Sequence, residues 1–403
     1  MSLADAYEAF LLDLDGVLYR GDQPIDPAAA TVEALRSAGK QIVFLTNNSA
    51  STAAQVAAKL NGMGISANES EVLSSARATG DMLASEGKAR ARTAFVIGRD
   101  GVRSALADAG IDLVNGDVGH AELVVVGWDP DVTYEALRRA TVLVRAGARL
   151  IATNADASYP APGGELWPGA GAILAAVETA SGESATVVGK PHAPMFEAAV
   201  AAVGTRNVLV VGDRVETDIV GAANAGLDAA MVRSGAGTPA QLLDQDALPV
   251  AILSDIGGLL SSPPVARPRP AKAEDMQDVR ALTEAPADAP DWGPSGVHVV
   301  EDDGIEATAT AHVLDRDAYL RAVATSEGLR GGGLGTLIVV TALRDARRQG
   351  AQQAWLLTET AEPFFAKLGF ERAERGSMPG WIGAGPGEGC PQTAVAMRRA
   401  LAQ

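Results

Sequence analysis

A single cysteine, Cys390, stands in a chain of 403 residues, which excludes an intrachain disulfide and any cysteine-rich metal cluster. No apolar run approaches the roughly 20 residues needed to cross a bilayer, and no cationic-then-apolar leader opens the chain. Basic residues are the minority, 33 against 50 acidic, for a formal charge of −17. That balance argues against an extended nucleic-acid footprint and against binding an anionic membrane surface. An anionic substrate must therefore be drawn in by local chemistry. The expectation is a cytoplasmic protein with neither nucleic acid nor membrane as partner; its oligomeric state is not legible. What the chain does have is length and 47% hydrophobic residues, enough for two or three domains with cores of their own.

Short apolar runs alternate with alanine-rich helical sequence. "AFLLD", "QIVFLTNN", "TAFVIG", "ELVVVGW", "ARLIATN" and "NVLVVGD" are apolar throughout rather than every second residue. Strands of that kind are buried on both faces, as in a parallel sheet between helices. The class is α/β, doubly wound, and ligands of such sheets bind beyond the carboxyl ends of the strands. Asp13, Thr46, Asn47 and Asp213 fall there. After "ILSDIGGLL" comes "SSPPVARPRPAKAED", proline-rich and without periodicity, which reads as a linker at 263–270.

The run "FLLDLDGVLYRG" ends in two aspartates, Asp13 and Asp15. Residues i and i+2 of a strand point to one side, so both can address one site while Leu14 turns into the core. Their repulsion is offset by a hard cation such as Mg²⁺, which takes oxygen ligands and leaves a position for a phosphate oxygen. Gly16 lets the chain turn away. "FLTNN" supplies Thr46 and Asn47, short donors suited to a phosphate oxygen. "VVGKPHAP" supplies Lys190, and "VVGDRVETD" supplies Asp213 with Asp218 five positions on.

"DLDGV", "TNN", "GKP" and "GDRVETD", in this order over residues 9 to about 260, resemble the haloacid dehalogenase superfamily of phosphotransferases. The resemblance implies that Asp13 is the nucleophile and takes the phosphoryl group as an aspartyl-phosphate. Asp15 would protonate the leaving oxygen and then deprotonate the attacking water. Thr46, the backbone around Asn47, and Lys190 would hold phosphoryl oxygens; Mg²⁺ would be bound by Asp13, the main-chain carbonyl of Asp15 and Asp213, supported by Asp218.

From Asp15 to the first helix the chain is too short to hold a domain, so "VLYRGDQPI" is at most a flap. Between Asn48 and Lys190 lie roughly 140 residues, far more than a crossover needs. The expected organisation is a core of 1–82 and 187–262, an inserted α/β cap at 83–186, and a further domain at 271–403. A large cap in that position matches the branch with p-nitrophenylphosphatases, nucleotide monophosphatases, phosphoglycolate phosphatases and glycerol-3-phosphate phosphatases. A cap that closes the cleft favours a small phosphorylated metabolite over a phosphoprotein. Asn154 and Asp156 follow a cap strand and could reach the cleft, although an Asx turn would use the same residues. Gly169 and Gly171 precede a helix whose N-terminus could face an anion. His120, His192, His298 and His312 lack metal-ligand spacing, and only His192, beside Lys190, has a place near the site.

The tail adds "SEGLRGGGLGTLIVVTALRDARRQG" and a later "KLGF". Glycines before a helix offer bare N–H groups to a pyrophosphate. Together these stretches resemble the GNAT acyltransferases, which implies a coenzyme A or acetyl coenzyme A loop at Arg330, Gly333 and Gly335. Phe364 and Phe365 stand where many members place a tyrosine acid, and Glu327 and Glu359 are bases by position only. Glycerol 3-phosphate is the first-choice substrate, because a hydrolase with such a tail resembles bacterial glycerol-3-phosphate phosphatases. Phosphoglycolate or nucleotide monophosphatase, a phosphomutase, and a non-enzymatic sensor of a metabolite or coenzyme A remain open alternatives. The tail is expected to be separable near residue 262.

Overall fold

A computed structural model describes residues 2–87, 92–160, 165–261, 267–284, 293–302, 304–383, 391 and 393–401. Cys390 and linker residues 263–266 lie outside that set. The chain forms two compact units, Tyr7–Val211 with Gly221–Leu227, and Met1–Ala6 with Gly212–Val220 and Asp228–Gln403.

In the first unit, strand Ala9–Asp13 pairs in parallel with Gln41–Thr46 on one side and Val208–Gly212 on the other, and Gln41–Thr46 pairs in turn with Val72–Ser74. Phe10, Leu11 and Leu12 have no exposed surface, the physical reason their run is apolar at every position. A second parallel sheet follows in the order Thr186–Val187, Arg149–Ala152, Leu123–Val126, Thr93–Ile97, Asp112–Val114. Helices Tyr134–Arg145 and Ala170–Ser181 cover one of its faces through Ala140, Leu143, Val144, Leu174 and Val177. Both sheets are of the doubly wound type expected. "VLYRGDQPI" forms the small antiparallel hairpin of Tyr19–Arg20 with Gln23–Pro24.

In the second unit, strands Asp228–Val232 and Ala251–Leu253 pair in parallel. A seven-stranded sheet runs Arg269–Pro270, Val297–Glu301, Ile305–Leu314, Asp317–Thr325, Gln353–Thr358, Val395–Ala400, Glu371–Ala373. All its neighbours are antiparallel except Asp317–Thr325 with Gln353–Thr358. Helix Leu334–Arg348 lies between this sheet and the segment containing Pro239–Asp244 and Ala251–Leu253. Leu337, Ile338, Val339, Val340 and Leu343 are all buried, so the helix needs cover on both sides. Residues 239–253 thus cover one side of this helix and the sheet covers the other.

Candidate active site

Asp13 closes the central strand, flanked by parallel neighbours that bring it to their common carboxyl edge. Lys190, in the turn before helix Ala193–Val203, places Nζ 2.5 Å from Asp13 Oδ1, with the two side chains 4% and 13% exposed. Burying both charges costs several kcal/mol in desolvation, of the order of what their attraction returns. Such a pair is poor evidence for stability and better evidence for a site that handles charge.

Beyond Asp13 the chain turns at Gly16, whose φ of 85° a side chain would strain, and the Gly16 N–H donates to the Tyr19 carbonyl at 2.7 Å. Asp15 sits on this turn. Partial loss of water holds its carboxyl above the ordinary range, against the opposing pull of Lys59 and of the Gly21 backbone N–H. Burial of this kind favours the protonated form of the carboxyl.

Asn47 does more than the backbone role expected of it. Its Oδ1 accepts the Lys190 N–H at 2.8 Å, and its Nδ2 donates to the Lys190 carbonyl and to Asp156 Oδ2, each at 3.0 Å. Asp156 Oδ2 also accepts from Asn154 Nδ2 at 2.8 Å. Asn154 thus holds Asp156, which holds Asn47, which in turn holds the lysine backbone. Thr46 Oγ1 accepts the Asn48 N–H at 3.1 Å, which leaves its O–H for donation. Gly189 is a glycine because a Cβ there would stand 2.6 Å from Asn47 Oδ1. That requirement is the local signal behind the "G" of "GKP".

Gly169 and Gly171 do not face an anion through their own amides. Their N–H groups donate to the carbonyls of Ala157 and Asp156, each at 2.9 Å, and a Cβ at either would fall within 2.3 Å of the Asp156 or Ala155 carbonyl oxygen. They buttress the Asp156 loop. His192 is the residue before helix Ala193–Val203, with its N–H on the Gly189 carbonyl at 3.0 Å.

In the other unit, Asp213 and Asp218 are 2% and 1% exposed. Asp218 Oδ2 accepts the Arg214 N–H at 3.1 Å, and Asp213 Oδ2 accepts the Ala236 N–H at 2.6 Å. A Cβ at Gly235 would stand 2.0 Å from Asp213 Oδ2. The loop Ser234–Gly237 that cradles this carboxylate was not singled out from sequence; its only mark there is the pair of glycines after an apolar strand.

In the tail, Gly333 precedes helix Leu334–Arg348 with φ 89°, and a Cβ on it would lie 1.8 Å from the Ile252 carbonyl oxygen. A Cβ on Gly335 would stand 3.1 Å from Thr325 Oγ1, and Arg330 Nε donates to the Thr325 carbonyl at 3.2 Å. The glycines thus permit close packing of the loop on neighbouring backbone. Phe364 meets Phe365 edge to face at 5.0 Å, Glu359 accepts from Thr393 Oγ1 at 2.6 Å, and Glu327 begins a short exposed turn.

Three family models match the chain: haloacid dehalogenase-like hydrolase over residues 10–112, HAD-hydrolase-like over 187–259, and acetyltransferase (GNAT) domain over 293–372. An acid sugar phosphatase of Staphylococcus epidermidis is 38% identical over 252 residues, 62% of this chain and 95% of that protein. The crystal structure of a glycerol phosphate phosphatase of Mycobacterium tuberculosis in complex with magnesium is similar with a TM-score of 0.70 and 27% identity, covering 92% of this chain and 98% of its own. A thermostable NPPase of Geobacillus stearothermophilus, a double mutant, gives a TM-score of 0.57 at 34% identity over 64% of this chain and 98% of its own. With Asp13 and Lys190 paired at the strand ends, and these relatives matched over nearly their whole length, the chain belongs to the haloacid dehalogenase-like hydrolases as a phosphatase, with a GNAT domain in its C-terminal part.

Proposed function

We propose that this phosphatase hydrolyses small phosphomonoesters through an aspartyl-phosphate on Asp13, with glycerol 3-phosphate as first substrate. The observation that carries the reading is the buried Asp13–Lys190 pair at 2.5 Å. In this reading an Asp13 oxygen attacks phosphorus, the ester oxygen leaves with a proton from Asp15, and Lys190 and Thr46 hold phosphoryl oxygens. Water then attacks the aspartyl-phosphate, gives its proton to Asp15, and releases inorganic phosphate with Asp13 restored. Phosphoryl transfer of this kind is mainly positioning and charge stabilisation.

In this reading a metal ion would be held by Asp13, the main-chain carbonyl of Asp15 and Asp213, with Asp218 in support. All are hard oxygen donors, which fits Mg²⁺; when bound, the ion would neutralise charge on the phosphoryl group. Magnesium and calcium both occur in crystal structures of the mycobacterial glycerol phosphate phosphatase. The mycobacterial name favours a glycerol phosphate, whereas the staphylococcal name favours sugar phosphates. The segment 83–186, as a cap, would make the choice between them. Coenzyme A is the ligand its resemblance implies for the Arg330 to Gly335 loop, and calorimetry with acetyl coenzyme A tests that assignment.

A screen of phosphomonoesters with Mg²⁺ present and then chelated reports substrate and metal together. Glycerol 3-phosphate should lead, with phosphate release abolished by chelation. A sugar phosphate turned over far faster would reassign the substrate, and isomer formation without phosphate release would make the protein a mutase.

A further inference from the structure

Helix Leu334–Arg348 ends in Arg344, Arg347 and Arg348, and all three guanidinium groups converge on one oxygen. Their Nη2 atoms lie 3.8, 3.7 and 3.4 Å from Asp246 Oδ1. Basic residues at a helix C-terminus interact favourably with the macrodipole, but that does not explain why Arg344 is buried and Arg347 mostly buried beside the exposed Arg348. The Arg344 side chain is 4% exposed while Asp246 is 84% exposed. A solvated carboxylate is a weak counterion for a buried guanidinium, and the Arg344 Nε is buried with no hydrogen-bond partner among the described residues. Burial and the neighbouring charges of Arg348 and Arg347 lower the Arg344 pKa to about 10, so it is still a cation at neutral pH.

The surroundings are built rather than incidental. Arg347 Nη1 donates to the Leu243 carbonyl at 2.5 Å, which fixes that guanidinium to the segment carrying Asp246. Arg399, on the strand Val395–Ala400, donates to the Ala240 carbonyl at 3.2 Å and feels Asp244. Asp345 is turned elsewhere, its Oδ2 3.7 Å from His298 Nε2. Beside the cluster a cavity of about 440 Å³ is lined by Asp244, Asp246, Arg347, Gly350 and Ala351. Three arginines against Asp246 leave two positive charges at the point of convergence, in a chain whose net charge is −17.

We propose that this arginine cluster and its cavity bind a dianionic phosphate group, for which the exposed Asp246 carboxylate stands in. Two uncompensated charges match a dianion. Convergence on a single point suits a compact tetrahedral anion whose several oxygens each take a guanidinium, rather than two separated carboxylates. The bound group is either free inorganic phosphate or the phosphate of a small metabolite, and the already solvated Asp246 carboxylate turns away from the arginines when it enters.

Calorimetric titration of the full chain tests this, with Lys190→Met present throughout to suppress phosphate binding at the catalytic centre. Inorganic phosphate should still bind. Arg348→Gln, at a position whose side chain is 60% exposed and so safe for folding, should weaken it by about fivefold or more, roughly the loss of one charge-assisted hydrogen bond. Asp246→Asn should tighten it by removing the competing carboxylate. Glycerol 3-phosphate binding more tightly than inorganic phosphate would identify the group as a metabolite's, and the reverse order would identify the free ion. No binding, equal affinities in all three proteins, or succinate binding as tightly as phosphate would overturn the proposal.

Discussion

Asn47→Ala removes three hydrogen bonds at once: Oδ1 to the Lys190 N–H at 2.8 Å, and Nδ2 to the Lys190 carbonyl and to Asp156 Oδ2 at 3.0 Å each. Bonds between neutral groups contribute about 1 kcal/mol each, and one to a carboxylate about 1.5–3 kcal/mol. Asp156 keeps Asn154 as a donor, and water can replace part of the rest, so the expected loss of stability is about 3 kcal/mol. Asn154→Ala, which loses one bond to the same carboxylate and one from Thr153 Oγ1, should cost somewhat less, about 2 kcal/mol. The first unit carries Trp128 and Trp167, so urea unfolding followed by tryptophan fluorescence reads both variants. Turnover should fall with stability in Asn47→Ala, by about a hundredfold, because the lysine backbone loses its anchor and misplacement by about 1 Å is costly. The double variant Asn47→Ala/Asp156→Ala should be less damaging than the sum of its parts, since both changes break one shared bond. An Asn47→Ala protein within 0.5 kcal/mol of the parent, at unchanged kcat, would refute the clamp.

Three further expectations are independent of that one. Asp15→Asn removes the proton carrier and leaves the nucleophile, so p-nitrophenyl phosphate should label Asp13 slowly and the adduct should persist; mass spectrometry showing the label on another residue would contradict the assignment. Gly333→Ala should cost well over the roughly 1–2 kcal/mol of a left-handed residue, because its Cβ would also meet Ile252, whereas Gly331→Ala, with φ 84° and nothing within 4 Å, should cost only that backbone share; equal losses in thermal unfolding would remove the packing role of Gly333. His312 is held to a pKa of about 4 by burial and then by Arg321, against 6.5 when unfolded. Its contribution is complete above pH 6.5 and is lost as pH falls toward 4; in urea midpoints, His312→Gln should flatten that part of the pH profile relative to the parent, and identical profiles would count against the burial.

The sheets and the acidic residues at their strand ends were legible in the chain itself, because a strand buried on both faces must be apolar at every position and a charge at its end then stands out. "AFLLD" and "NVLVVGD" carry that contrast within a few residues, so local sequence suffices. The hold of Asp156 on Asn47 was not legible, since it joins residues 109 positions apart and an Asx turn would use the same side chains. Neither was the packing of Leu334–Arg348 against Pro239–Asp244 and Ala251–Leu253. A proline-rich stretch marks where a chain can bend, but it does not say which apolar face on one side needs cover from the other. Gly333 shows the same division. Its sequence context allows an anion loop or a close contact equally, because both demand a missing side chain, and only the position of the Ile252 carbonyl shows the contact that a side chain would block.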